Sequence, residues 1–344
     1  MPGPETSGSG RGDESQKYRD DQGSHALVAE IVQLGRVRRS WMRSRISLQL
    51  TAYAICRRFC APSQEEIDST PWETVKKRWN VRATKLWSEV QNGTAADDLI
   101  MAVGPILPSI RLHTQMEEPV ERRMTKLAGQ HTLSAFAKSV RGFGPAGLAK
   151  VIAECGDPAA YRSPAALWKR MGLAVIDGQR QRRVKDKDLA IKMGYVAERR
   201  SAMWNVGGSV IGGMGRGPRP LVGEDVEARE DLTRYQKLFI ARLRYLVQRG
   251  DVDEVTGKPR WSRPPVTDKK TGELRESFST HAASEAKRYV EKRLLKDLWR
   301  AARGLNTSDD GEEAASSGHP DDHGSEGTPA AVGTVPGGGG GDDR

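Results

Sequence analysis

No run of apolar residues in this chain approaches the roughly 20 that a membrane-spanning helix needs. The longest candidate, Leu99 to Ile110, is short and is broken by Gly104, Pro105 and Pro108. The first residues are polar and Gly-rich, so no export signal is expected there. There are only three cysteines, Cys56, Cys60 and Cys155, an odd and sparse count that argues against a disulfide framework. Cys56 and Cys60 lie one helical turn apart. They read as buried free thiols or as half of a metal site with no second ligand pair nearby. No segment shows strict two-residue alternation, so few strands are expected. Hydrophobic residues make up 37% of the 344, low for a compact domain of this length, so part of the chain is expected to be disordered.

What is present is charge, and it is unevenly spread. The formal net charge is +10. From Asn306 to Arg344 nine acids face Arg344 alone, a net of −8, and Met1 to Ser24 carries −2. Removing both leaves +20 on His25 to Leu305. Such a field favours a polyanionic partner over a merely soluble basic surface. The two termini read as disordered, with the acidic tail either a solubilising segment or a competitor for the basic core.

Between the termini the periodicity is helical. Leu27, Leu34, Trp41 and Leu48 recur every seven residues across His25 to Phe59. Arg38 and Arg45 interrupt that seam, so a long amphipathic helix packed on a partner helix is expected, with a coiled-coil dimer as the alternative. Trp72 to Val90 predicts a second helix. Ile110 to Ser139 predicts one long helix, or two kinked at Pro119. Val206 to Gly223 and Gly250 to Glu276 read as loops because of their Gly, Pro and polar content. Ala228 to Gln248 and His281 to Arg303 read as helices, the latter with Lys287 and its basic neighbours around an apolar face.

The sharpest local signal is Val140-Arg141-Gly142-Phe143-Gly144-Pro145. Two glycines around one apolar residue can make a tight turn with positive φ, and Pro145 suits the first turn of a following helix. Phe143 can plug the flanking helices, with Leu148, Val151, Ile152 and Cys155 at core spacing behind it. Backbone N–H groups at such a turn and helix start bind a phosphate. A purely structural corner would use similar glycines. After the turn at Asp177-Gly178 the chain becomes very basic: Gly178 to Arg200 holds eight Lys or Arg against three acids. That imbalance suggests a surface that tracks phosphates.

Taken together, the run Val140 to Pro145, then Ala153-Glu154-Cys155-Gly156-Asp157, Tyr161-Arg162-Ser163, Gly172-Leu173 and Lys192-Met193-Gly194, resembles the C-terminal domain of a bacterial insertion-sequence transposase family. It is the family related to the pilin-gene invertase Piv and to MooV. The likeness is strongest between Ser139 and Gly194. His25 to Phe59 resembles the helical region joining that family's two domains, and His281 to Trp299 its closing basic helix. The resemblance implies DNA binding, a structured guide RNA, and strand exchange at mobile-element ends. It also implies a RuvC-like nuclease domain with four acidic metal ligands and a nucleophilic serine. Here no α/β pattern precedes His25, Val175 stands where the family has a proline, and the serine position falls near Arg180. Ser201 is the nearest downstream hydroxyl.

The sequence therefore predicts a mainly α protein with long N-terminal helices and a helix-hairpin-helix domain. Its expected segments are 1–24 and 306–344 disordered, 25–120 helical, 121–215 the hairpin domain, and 216–305 loop-interrupted helices. Nucleic-acid contacts are expected from Gly142, Phe143, Gly144, Pro145, Lys150, Arg180, Arg182, Arg183, Lys185, Arg199 and Arg200. Ser201 is a weak catalytic candidate, and neither a metal nor another cofactor is expected. The partners would be DNA, structured RNA, and either further copies of the chain or a separate nuclease. The expected location is the bacterial cytoplasm, at the nucleoid when DNA is bound.

Overall fold

The computed structural model describes residues 11–212, 217–253, 256–269 and 271–305, with side chains from Ser24 onward. The fold is mainly helical. α1 (Arg11–Phe59) is a single helix of 49 residues, about 74 Å long at 1.5 Å per residue. It begins at Arg11, so residues 11–24 are helical where the sequence predicts a disordered head. The predicted disorder of 1–10 and 306–344 lies outside the described residues.

α1 runs against α5 (Leu107–Gln130). The two arginines that interrupt its seven-residue seam are used in that pairing, beside the apolar packing of Val28 and Ile31 in one cluster with Met124 and Leu127. Arg38 reaches Glu121 at 3.1 Å and Arg45 reaches Glu117 at 2.6 Å, while Arg123 of α5 reaches back to Glu30 at 2.8 Å. These pairs fix an antiparallel register in one chain. α5 passes through Pro119 without ending. It stops at His131, whose backbone is extended and whose ring Nδ1 accepts the Leu133 N–H at 3.1 Å. The predicted helix to Ser139 is thus split, and α6 is the short Ser134–Ser139.

Two apolar clusters hang on the α1–α5 pair. The smaller one is the arm. There Ala52 and Cys56 of α1 meet Val90 of α3 (Trp72–Asn92) and Leu99 and Val103 of α4 (Asp97–Val103). α2 (Gln64–Ser69) caps that end, held by Ser63 at its N-terminus. The larger cluster is the body. It joins Val28 and Ile31 of α1 to α5, α6, α7 (Gly144–Cys155), α8 (Pro164–Arg170), α10 (Ala197–Ile211), α11 (Arg234–Gln248) and α12 (Thr280–Ala302).

Three other expectations change. α10 continues to Ile211 where a loop from Val206 is expected, because Gly207 makes room rather than breaking the helix. A Cβ there would lie 2.7 Å from Cγ of Glu291 on α12. α11 starts at Arg234, later than Ala228, at a capping box between Thr233 and Gln236. Within the expected loop 250–276, β3 (Ser262–Thr267) and β4 (Leu274–Phe278) form an antiparallel hairpin. Its register slips between Arg263 and Val266, where Pro264 and Pro265 have no N–H to give the ladder. Cys56 and Cys155 are buried free thiols and Cys60 is half-buried and free. Among the described residues no helix is long and apolar enough to cross a membrane.

Candidate nucleic-acid interface

The Gly142 to Pro145 turn joins α6 to α7 as the spacing predicts. Gly142 and Gly144 take φ of +84° and +54°, values that a side chain rarely tolerates. Phe143 is buried between them. Its ring meets Phe136 edge-on at 6.4 Å and covers Gly147, where a Cβ would come within 2.5 Å of it. The Phe143 N–H donates to Val140 O at 3.0 Å and the Gly147 N–H to Phe143 O at 2.9 Å. The N–H groups of Gly144 and Ala146 have no acceptor among the described residues, as expected in a first helical turn. Arg141, Gly142 and Ala146 are exposed.

Gly142 also packs inward. A Cβ on it would sit 2.2 Å from the carbonyl oxygen of Ser209 in α10. The turn therefore has two sides: one locks onto the end of α10, the other carries amides without an acceptor among the described residues. Lys138 and Arg141 stand exposed beside that outer face, and sequence reasoning missed both. Their place just before the glycines, three residues apart, was the available signal. Lys150, expected as a contact, instead reaches Glu121 at 3.0 Å.

The basic segment begins at the small hairpin of β1 (Val175–Ile176) and β2 (Gln179–Arg180). Its turn residues Asp177 and Gly178 have φ of 50° and 71°. Gln181 then anchors the chain. Its buried amide accepts the Ala174 N–H at 3.0 Å and donates to Lys169 O at 3.0 Å and Met193 O at 2.6 Å. No sequence rule singled out this residue. Beyond it Arg182, Arg183, Lys185 and Lys187 are exposed and have no ionic partner among the described residues. α9 (Lys187–Met193) follows, capped by Asp186.

The remaining expected contacts are differently placed. Arg180 pairs with Glu285 at 2.5 Å. Arg200 turns inward to Glu291 at 2.8 Å, a carboxylate with no exposed surface. Burial pushes that carboxyl up to about 7, against the pull of Arg200, Lys287 and Arg288. Lys287 is buried too, its Nζ 3.5 Å over the Trp204 ring, and burial pushes it down to about 8. Arg199 stays near the surface. Burial, Arg170 and Arg39 hold it below its ordinary value, while Glu154 and Tyr161 pull the other way. Ser201 is exposed and makes no side-chain hydrogen bond among the described residues.

α7 and α10 run antiparallel. The start of α7 meets Ser209 near the end of α10, and Glu154 near the end of α7 lies by Arg199 at the start of α10. The turn and Arg199 thus occupy opposite ends of the pair, about 15 to 18 Å apart by helix length. They form two stations rather than one patch. Among the described residues no group of three or more His, Cys, Asp or Glu could hold a metal ion. Compared with protein-family models, curated proteins and solved structures, the chain matches none of them.

Proposed function

We propose that the chain is a transposase-like nucleic-acid-binding protein of a mobile element that grips the DNA backbone and does not cleave it alone. The observation that carries this reading is the uncompensated charge of Arg182, Arg183, Lys185 and Lys187. Arg38, Arg45, Arg180 and Arg200, by contrast, each pair with a carboxylate. Four exposed cations within six residues, on a loop fixed by Gln181, are a standing demand for anions. The outer face of the Gly142–Pro145 turn adds amide donors at a helix start, which suit a phosphate and read no sequence. The turn and Arg199, at opposite ends of the α7–α10 pair, are spaced to suit a duplex, whose phosphates recur along a backbone that can meet both. The mobile-element part of the reading rests on the resemblance between Ser139 and Gly194.

A second reading is favoured by Gly142 itself. Its close approach to Ser209 means that the turn packs helices whether or not it binds anything. In that case the protein is a structural or oligomerising element.

Duplex-DNA affinity measured across a salt series separates the two. The proposal expects a steep linear loss of log affinity with log salt. Changing Arg182, Arg183, Lys185 and Lys187 to Gln together should flatten that slope by about 0.9 for each phosphate contact removed. An unchanged slope in a folded variant refutes the proposal. Incubation of the chain with DNA and Mg²⁺ or Mn²⁺ should give neither cleavage nor a covalent adduct. An adduct abolished by Ser201→Ala would replace the non-cleaving part of the proposal with an active recombinase.

A further inference from the structure

The last described residues leave the body at a defined place. α12 ends at Ala302, and the Leu305 N–H closes onto Arg300 O at 2.9 Å. Arg303 donates to Ala159 O at 3.4 Å and to Tyr161 O at 3.3 Å. The Trp299 indole N–H also donates to Tyr161 O, at 2.8 Å. The backbone of Tyr161 therefore ties down the point of exit. Its side chain points the other way chemically: the hydroxyl donates to Cys155 O at 2.5 Å, within the field of Arg170 and Arg199.

On that far side of Tyr161 Arg39 and Arg170 both meet Glu154, one at its carboxylate and one at its backbone oxygen, and Arg199 lies in the field of Glu154 and Tyr161. Arg39 holds Glu154 at 2.5 Å, and Arg170 donates to the Glu154 backbone oxygen at 3.2 Å. Arg199 has no ionic partner among the described residues. The neighbouring pair of Arg43 and Glu198 is neutral, and against Glu154 and Asp157, which also acts on Tyr161, the three arginines leave an excess of one. Like charges held together cost free energy unless an anion joins them.

The chain beyond the exit has what this cluster lacks. Residues 306–344 carry nine acids and one base, and the first four acids are Asp309, Asp310, Glu312 and Glu313. At no more than about 3.6 Å per residue they lie within roughly 14 to 29 Å of Leu305. The cluster lies one tyrosine away. A tethered segment of this length faces its own body at an effective concentration of the order of millimolar, so even weak docking is populated.

We propose that the acidic segment 306–344 docks in cis on the Arg39–Arg170–Arg199 cluster, through carboxylate–guanidinium pairs contributed first by residues 309–313. Its consequence for nucleic acid, that the segment competes for the same charge, rests on the reading given above. A segment that only solubilised the chain would have no preferred place on it.

The full chain tests this directly. A photo-activated cross-linking residue replaces Gly311, and the adducts are mapped by mass spectrometry. The expected result is an intrachain adduct on peptides carrying Arg170 or Arg199, independent of protein concentration. It should fall several-fold between 0.05 and 1 M salt, given about as much. It should be lost in Arg170→Gln with Arg199→Gln and regained in Arg170→Lys with Arg199→Lys. Adducts scattered over the body, or insensitive to salt and to both arginines, overturn the proposal. Changing Asp309 and Asp310 to Asn and Glu312 and Glu313 to Gln should tighten duplex binding roughly three- to ten-fold. If the mapped adduct forms and this variant binds DNA no better, docking stands and competition fails. If the adduct forms and neither protein binds DNA, docking stands and the nucleic-acid reading fails.

Discussion

The body and the arm are made of the same kind of helix and held together by different means. In the body, α7 buries Leu148, Ala149, Val151 and Ile152 and packs against α1, α5, α6 and α10. In the arm, five buried residues form the core, and Leu50, Trp72, Val81 and Met101 are left exposed. Between them the α1–α5 pair is joined by arginine–glutamate bridges. The body is thus specified by packing, which tolerates little change in shape. The arm is specified more by polar registry, which fixes alignment while adding less stability. Both stations of the candidate interface sit on the better-packed body.

The largest expected effect tests that tight packing. Gly142→Ala places a methyl group 2.2 Å from the Ser209 oxygen at a φ of +84°. Left-handed strain and overpacking together should cost about 2–6 kcal/mol, read by urea unfolding. A loss below about 1 kcal/mol would mean that α10 shifts freely and that the body is less tightly packed than the arm comparison assumes. Glu117→Ala should cost less, about 1–3 kcal/mol, since Arg45 and Glu117 keep some solvent contact. Its loss should also stay local. Hydrogen exchange is expected to accelerate in α3, α4 and the start of α5 while α7 and α12 remain protected. Equal acceleration in both regions would erase the distinction.

The same contrast explains what was legible in the sequence. The helical class and the turn at Gly142 follow from local chemistry, so residue types and short spacings reveal them. The seam of α1 was legible as a pattern, and its two arginines looked like faults. They became sense only when Glu117 and Glu121, far along the chain, took their places opposite. Gly207 misled for the same reason: whether a glycine breaks a helix or admits a neighbour depends on Glu291, many residues away. Lys287 and Arg200 read as surface charge because composition does not reveal which face of α10 meets α12. The exposed cations at 182–187 were visible as a count. That they lack ionic partners among the described residues, while Arg180, Lys192 and Arg200 have them, is a property of the fold.

The buried charges of α12 give the next test. Glu291 is faced by Arg200 from α10 and by Lys287 and Arg288 from its own helix, and its carboxyl stands at about 7. The folded protein holds that proton more tightly than the unfolded chain, whose value is near 4.5. The stabilising contribution is therefore complete below 4.5 and is lost as pH rises through about 7. Between pH 5 and 7.5 the wild type should lose about 1–3 kcal/mol more than Glu291→Gln. The difference between their two profiles is the measurement, because the carboxylates of Glu121, held low by Lys150 and Arg38, and of Glu198, held low by Arg43, act in the opposite direction. Parallel profiles would mean that water reaches this part of the body.

The smallest effect is the most discriminating, because it is expected to have opposite signs in two assays. Ala146 is exposed in the first turn of α7 with a free N–H. An aspartate there meets the positive end of the helix and should stabilise the fold by about 0.3–1 kcal/mol. The same carboxylate occupies the space where a phosphate would sit. Ala146→Asp should therefore raise the urea midpoint slightly and weaken duplex binding several-fold. A purely structural turn allows the first change and forbids the second. If stability rises and affinity holds, the turn is a packing device and the nucleic-acid contact lies with residues 182–187 alone.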